Sequence, residues 1–184
     1  MTIPTICGDK ITLRPFRARD VDPLFDSLGD PESNRLTGTH AAFTREQVER
    51  YVANFATDDS RAGFVIADSA SDDLAPLGEV LLFDIDTDNR NAWFRIAMFG
   101  MGQVNKGYGT EAMRMILRYG FETLNLHRIA LEVYAFNPRA IHVYEKVGFQ
   151  REGVLRDLLF YDGAFHDAIG MAILEDDWRA LQDG

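Results

Sequence analysis

Cysteine is almost missing from this 184-residue chain: Cys7 stands alone, so no internal disulfide can form. Positive charge is also scarce. Against 29 acidic residues there are 19 Lys and Arg, a net charge of −10 with a pI near 4.8. A field of that sign repels nucleic acid and anionic membrane surfaces, and it favours cationic partners. No uninterrupted apolar run is long enough to span a bilayer, and the stretch from Met1 to Thr5 lacks the basic and apolar regions of a secretory leader. Internal repeats and low-complexity linkers are missing too. A cytoplasmic protein with no nucleic-acid or membrane partner is therefore expected. With 46% hydrophobic and 26% charged residues, the chain suits one compact domain over 1–184.

What is present alternates between two periods. Lys10 to Arg14 alternates as a short strand, and from Arg19-Asp20 a helix puts Val21, Leu24, Phe25 and Leu28 on one face. Pro31 to Ala42 is rich in turn residues and reads as a polar loop. Thr44-Arg45-Glu46-Gln47 has the spacing of a capping box and opens a helix bearing Val48, Tyr51, Val52 and Phe55. An antiparallel meander follows, with strands at Phe64 to Ala67, Leu77 to Ile85 and Trp93 to Phe99, joined by turn-rich segments.

Helical spacing returns after Gly107 in Met113, Ile116, Leu117, Phe121 and Leu124, and Arg128 to Tyr134 is again a strand. Asn137-Pro138 supplies an N-cap and a first helical residue for a helix that stops at Gly148. Phe149 to Tyr161, the turn Asp162-Gly163 and Ala164 to Ile173 make a closing hairpin before a short tail. The fold class is α/β in the α+β sense: a mixed, mostly antiparallel central sheet flanked by helices, with one strand, glycine turn, helix, strand crossover.

That crossover carries the chemistry. In Asn105-Lys106-Gly107-Tyr108-Gly109-Thr110 a glycine-spaced turn opens directly into an amphipathic helix. Glycine takes backbone torsions closed to other residues and admits close approach, so successive N–H groups can converge on phosphate oxygens at the positive end of the helix. A lone G-x-G is weak evidence, since many such turns bind nothing.

Several segments together resemble the GNAT superfamily of acetyl-CoA-dependent N-acetyltransferases. They are Lys106 to Ala112, Leu124-Asn125-Leu126-His127-Arg128, Asn137-Pro138-Arg139-Ala140-Ile141, Tyr144 to Phe149 and Glu152-Gly153. With Leu13-Arg14-Pro15-Phe16 and Arg19-Asp20, the resemblance covers nearly the whole chain. It points to the branch of the ribosomal-protein N-terminal acetyltransferases and the spermidine N-acetyltransferases. It implies a GNAT-like fold and acetyl-CoA as co-substrate. The acceptor would be a small-molecule amine, a polyamine or a protein N-terminus. It also admits a homodimer, which is common in that branch.

By the same resemblance the cofactor lies against Phe99, Val104, Asn105, Lys106, Gly107, Tyr108, Gly109, Thr110, Asn137 and Tyr144. A polar residue usually stands three positions before the first glycine, where this chain has Val104. Phosphate contact then falls to main-chain N–H groups. The family transfers acetyl directly to the amine, which agrees with the lack of a nucleophilic Cys or Ser motif.

Tyr144 is the expected catalytic residue, a neutral phenol beside the CoA sulfur that stabilises the departing thiolate. A protonated amine is not nucleophilic, so a base or water chain is also required. Glu79, on the central strand, is the expected base, with Asp84 and Glu132 as alternatives. Strict alternation puts Glu79 and Asp84 on opposite faces. His127 and His142 belong to no His/Cys/Asp cluster of metal-ligand spacing, and no metal is expected. A non-catalytic or regulatory acetyl-CoA-binding module of the same fold is the other reading of these residues.

Overall fold

The computed structural model describes residues 3–55, 57–103 and 105–182. Its centre is an eight-stranded sheet in the order β1-β2-β3-β4-β5-β6-β8-β7. The strands are β1 (Ile6–Cys7), β2 (Ile11–Arg14), β3 (Ala62–Asp68), β4 (Pro76–Asp86), β5 (Asn91–Met98), β6 (Arg128–Tyr134), β7 (Gln150–Tyr161) and β8 (Ala164–Leu174). All neighbouring pairs run antiparallel except β5 and β6. The helices are α1 (Val21–Ser27), α2 (Pro31–Thr37), α3 (Arg45–Asn54), α4 (Tyr108–Arg118), α5 (Pro138–Val147) and α6 (Glu175–Gln182).

Each sheet face buries a different set of side chains, as the two-residue period of the strands requires. On one face Phe64, Val80, Leu82, Phe94 and Ile129 pack with Met113, Ile116 and Leu117 of α4 and Ile141 of α5. On the other, α1 and α3 pack through Val21, Leu24, Val48 and Val52. Helix α3 lies very close to the sheet at Gly63, where an added Cβ would stand 2.1 Å from the Phe55 ring. The expected capping box is present. Thr44 Oγ1 accepts the Gln47 N–H at 3.3 Å, and Gln47 Oε1 accepts the Thr44 N–H at 2.7 Å.

Two segments differ from the sequence reading. Pro31 to Ala42 is not wholly loop: α2 occupies its first half, with Asp30 accepting the Ser33 N–H, Pro31 in the first turn and Gly38 left-handed at its end. The short tail is instead helix α6, which buries Trp178 against Phe121, ring centroids 5.2 Å apart. No helix among the described residues is long and apolar enough to cross a membrane.

Candidate active site

The site begins where two parallel strands part. Strands β5 and β6 pair over only three registers, from Asn91 with Arg128 to Trp93 with Ala130. Beyond these, Phe94 to Met98 and Leu131 to Tyr134 diverge and line a cleft of about 840 Å³. Main-chain groups that a neighbouring strand would have paired then face the opening, where an extended ligand with amides can pair with them.

At one end of this cleft lies the glycine turn. Asn105 (φ 65°) and Gly107 (φ 87°) both take left-handed torsions around Lys106, and Gly107 is the N-cap of α4. Alternating torsions of this kind turn N–H groups inward and make an anion-binding concavity at the helix start. Asn105, Gly107, Gly109 and Thr110 line the cleft, as do Gly100, Met101 and Gln103 before them. Lys106 is turned aside: its Nζ donates to Gln103 Oε1 at 3.3 Å and stands 5.9 Å from the Tyr108 ring centre. Tyr108 packs on the main core. Phe99, expected at the cofactor, instead packs on the α1–α3 cluster and is not part of the cleft wall, because it follows the last residue of β5 on that side. Val104 lies outside the described residues.

The opposite wall comes from α5. Asn137 Oδ1 accepts the Ala140 N–H at 3.1 Å, so this side chain caps α5 and also lines the cleft. Tyr144, one face of α5 further on, lines it too. Its ring meets Phe94 and Phe149 edge-on, with centroids 6.1 and 5.9 Å away, and its hydroxyl makes no hydrogen bond to any described residue. Burial pushes its pKa up to about 12, so the phenol stays neutral near pH 7.

Glu79 is placed differently from the expectation. It is 4% exposed, lies on the face turned to α3 and is not in the cleft wall. Its carboxylate accepts the Tyr51 hydroxyl at 3.0 Å and Arg95 Nη2 at 2.8 Å, and the same Nη2 reaches Tyr51 Oη at 2.7 Å. Burial first, and the neighbouring Glu79 charge second, hold the Tyr51 pKa far above that of an ordinary phenol. The tyrosine therefore remains a donor. Both carboxylate oxygens are thus engaged, one by Tyr51 and one by Arg95. Arg95, its partner, does line the cleft.

Elsewhere the wall is acidic and aromatic: Phe83, Asp84, Trp93, Glu132 and Tyr134 contribute to it. Phe83 and Asp84 are neighbours in sequence, yet both face the opening. The β4–β5 register shifts between Phe83 and Asp86, and Asp84 takes a left-handed φ of 49°. A bulge thus breaks the strict alternation expected from the sequence. Helix α2 adds Ser33, Leu36 and Thr37 to the wall, with Gly38 at its end against the Tyr134 ring. Among the described residues no group of three or more His, Cys, Asp or Glu is arranged to hold a metal ion.

Comparison with known proteins agrees with this geometry. Residues 10–150 match the acetyltransferase (GNAT) domain family. Spermidine N(1)-acetyltransferase of Vibrio cholerae is 33% identical over 130 residues, 71% of this chain and 73% of that protein. An uncharacterized prophage-derived N-acetyltransferase of Bacillus subtilis is 28% identical over 179 residues, 97% and 98% of the two chains. The solved structure of the Vibrio cholerae spermidine N-acetyltransferase with CoA and spermine superposes with a TM-score of 0.84 at 26% identity, covering 94% of this chain and 99% of that one. The split sheet, the glycine turn at the start of α4 and these relatives agree: the chain belongs to the GNAT acetyltransferase family and is an N-acetyltransferase with acetyl-CoA as co-substrate.

Proposed function

We propose that this enzyme acetylates a cationic small-molecule amine of the polyamine class. The observation that carries the reading is the make-up of the cleft wall, which joins an anion-binding turn to carboxylates among aromatic rings. Asp84 and Glu132 supply negative charge, and Phe83, Trp93 and Tyr134 supply ring faces that attract a cation. The net charge of −10 draws such an acceptor in from solution. The relative solved with spermine supports the same class.

In this reading the turn from Asn105 to Thr110 holds the CoA pyrophosphate through main-chain N–H groups, and Asn137 contacts the pantetheine arm. Tyr144 donates a hydrogen bond to the CoA sulfur as the thiolate leaves. Its pKa of about 12 lies well above that of a thiol, near 8.5, so donation is favoured over complete proton transfer. Amine deprotonation falls to water held near Asp84 or Glu132, while Glu79 fixes Arg95 in the wall.

The enzyme is cytoplasmic in this reading, which suits the free, exposed Cys7. A homodimer covers the apolar side chains that β7 and β8 expose, Val154, Leu155, Leu158, Phe160 and Phe165, on the last strand pair of the sheet. Sizing by light scattering tests it, and a monomer at micromolar concentration would remove it.

Release of free CoA from acetyl-CoA, measured with spermidine, spermine, aminoglycosides and N-terminal peptides of ribosomal proteins, tests the acceptor. Turnover is expected with the polyamines. Turnover confined to the peptides would replace this reading with N-terminal protein acetylation.

A further inference from the structure

We propose that Lys10, outside the glycine turn and about a hundred residues before it, binds a phosphate of CoA. This rests on the reading that the turn at Gly107 is the phosphate clamp. Lys10 sits just before β2, and its Nζ donates to the Lys106 carbonyl oxygen at 3.4 Å. A Cβ built on Gly107 would stand 3.4 Å from the same Nζ. The ammonium therefore flanks the residue that caps α4, on the side that glycine leaves open.

The strand is held there by its main chain. The Lys10 N–H donates to Glu111 Oε1 at 3.0 Å, joining the start of β2 to the first turn of α4. Glu111 and Asp9, the residue before Lys10, are acidic neighbours in this corner, and that bond engages one Glu111 oxygen. Lys10 itself is exposed, and among the described residues one of its three N–H donors is used, in a long bond to a neutral carbonyl. Lys106, the lysine inside the turn, instead points its Nζ at Gln103. Lys10 is thus the ammonium aimed at the cap of α4. In a chain of net charge −10 a local cation at this point offsets the repulsion of a polyanionic co-substrate.

A lysine that only pinned the turn through the Lys106 carbonyl would be replaceable by a neutral donor and indifferent to salt. A lysine that meets phosphate would be neither. The experiment is calorimetric titration of the full chain with CoA and with 3′-dephospho-CoA, for Lys10→Arg, Lys10→Gln and Gly107→Ala. In low salt Lys10→Gln is expected to weaken CoA binding by about fivefold and Lys10→Arg to keep it. Raising the salt to about 0.5 M should erase the difference between Lys10→Gln and the parent, because screening removes the contact in both.

A Lys10→Gln loss that disappears with 3′-dephospho-CoA assigns Lys10 to the 3′-phosphate, and one that persists assigns it to the pyrophosphate. Equal binding by Lys10→Gln and the parent, or a loss undiminished by salt, would overturn the proposal. If Gly107→Ala also binds CoA unchanged, the reading of the turn as the clamp fails with it. If Gly107→Ala binds weakly while Lys10→Gln does not, only Lys10 is removed.

Discussion

Asp20 forms a bidentate ion pair with Arg14, Nη1 to Oδ2 and Nη2 to Oδ1 both at 2.7 Å, and neither side chain has any exposure to solvent. Arg14 Nε and Nη2 also donate to the Leu74 carbonyl, and the Arg17 N–H donates to Asp20 Oδ2. One pair thus joins β2, the turn into α1 and the loop before β4. Removing one partner leaves an uncompensated buried charge, so Asp20→Asn should destabilise the fold by about 3–5 kcal/mol. Urea unfolding followed by circular dichroism checks it, and a midpoint within error of the parent would show that the pair contributes nothing net. Replacing both residues together, Arg14→Met with Asp20→Leu, should recover part of the loss.

The pair also shows what could be read ahead of the structure. Leu13-Arg14-Pro15-Phe16 and Arg19-Asp20 stood out as resemblance, but nothing in their spacing said that the two charges meet. Elements with a clear period or cap were legible: the α3 capping box, the Asn137-Pro138 start of α5 and the parallel crossover through α4. Helix α2 was not, because it buries no residue and depends on its caps, so it has no apolar stripe to find. Asp84 reaches the cleft through a bulge that two-residue alternation does not foresee. Lys10 reaches the glycine turn across a sequence separation of 96, which no local pattern encodes.

Tyr144→Phe removes only a hydroxyl that no described residue engages. The ring contacts with Phe94 and Phe149 should persist, so folding and CoA affinity should change little. Turnover should fall by about 10- to 100-fold if the hydroxyl acts only as the thiolate leaves. Steady-state kinetics beside a CoA titration separates the two effects. Equal losses in affinity and turnover would make Tyr144 a binding residue.

Alkaline pH gives a second view of the same side chain. Burial raises the Tyr144 pKa from 10.0 to about 12, and Tyr51 is raised as well. A raised phenol binds its proton more tightly in the folded state, so these groups leave stability unaltered below pH 10. Stability then falls as pH rises from 10 through about 12. Absorbance titration near 295 nm should show some of the six tyrosines ionising late, together with unfolding. Tyr144→Phe should reduce that late amplitude. An unchanged late amplitude would mean that Tyr144 ionises with the exposed tyrosines.

Glu79→Gln tests whether this carboxylate takes a proton or holds an arginine. Its partners are Arg95 at 2.8 Å and Tyr51 at 3.0 Å, and it is 4% exposed. Loss of the charge should destabilise the fold by about 1–3 kcal/mol, since Arg95 and Tyr51 lose a charged acceptor. The acidic limb of the pH profile of kcat/KM should keep its midpoint. Disappearance of that limb in Glu79→Gln would identify Glu79 as the base.

Asp84→Asn addresses the acceptor end, where a carboxylate on a left-handed residue faces the cleft. Asparagine tolerates that torsion about as well as aspartate, so the bulge should survive and only the charge is lost. The KM for a polyamine should rise about three- to tenfold, in keeping with one solvent-screened charge contact. The KM for acetyl-CoA should stay put, because Asp84 belongs to β4 and not to the glycine turn. A neutral aromatic amine offered as acceptor should be indifferent to the substitution. If Asp84→Asn raised the KM of neutral and cationic acceptors alike, the carboxylate would be shaping the cleft rather than attracting charge.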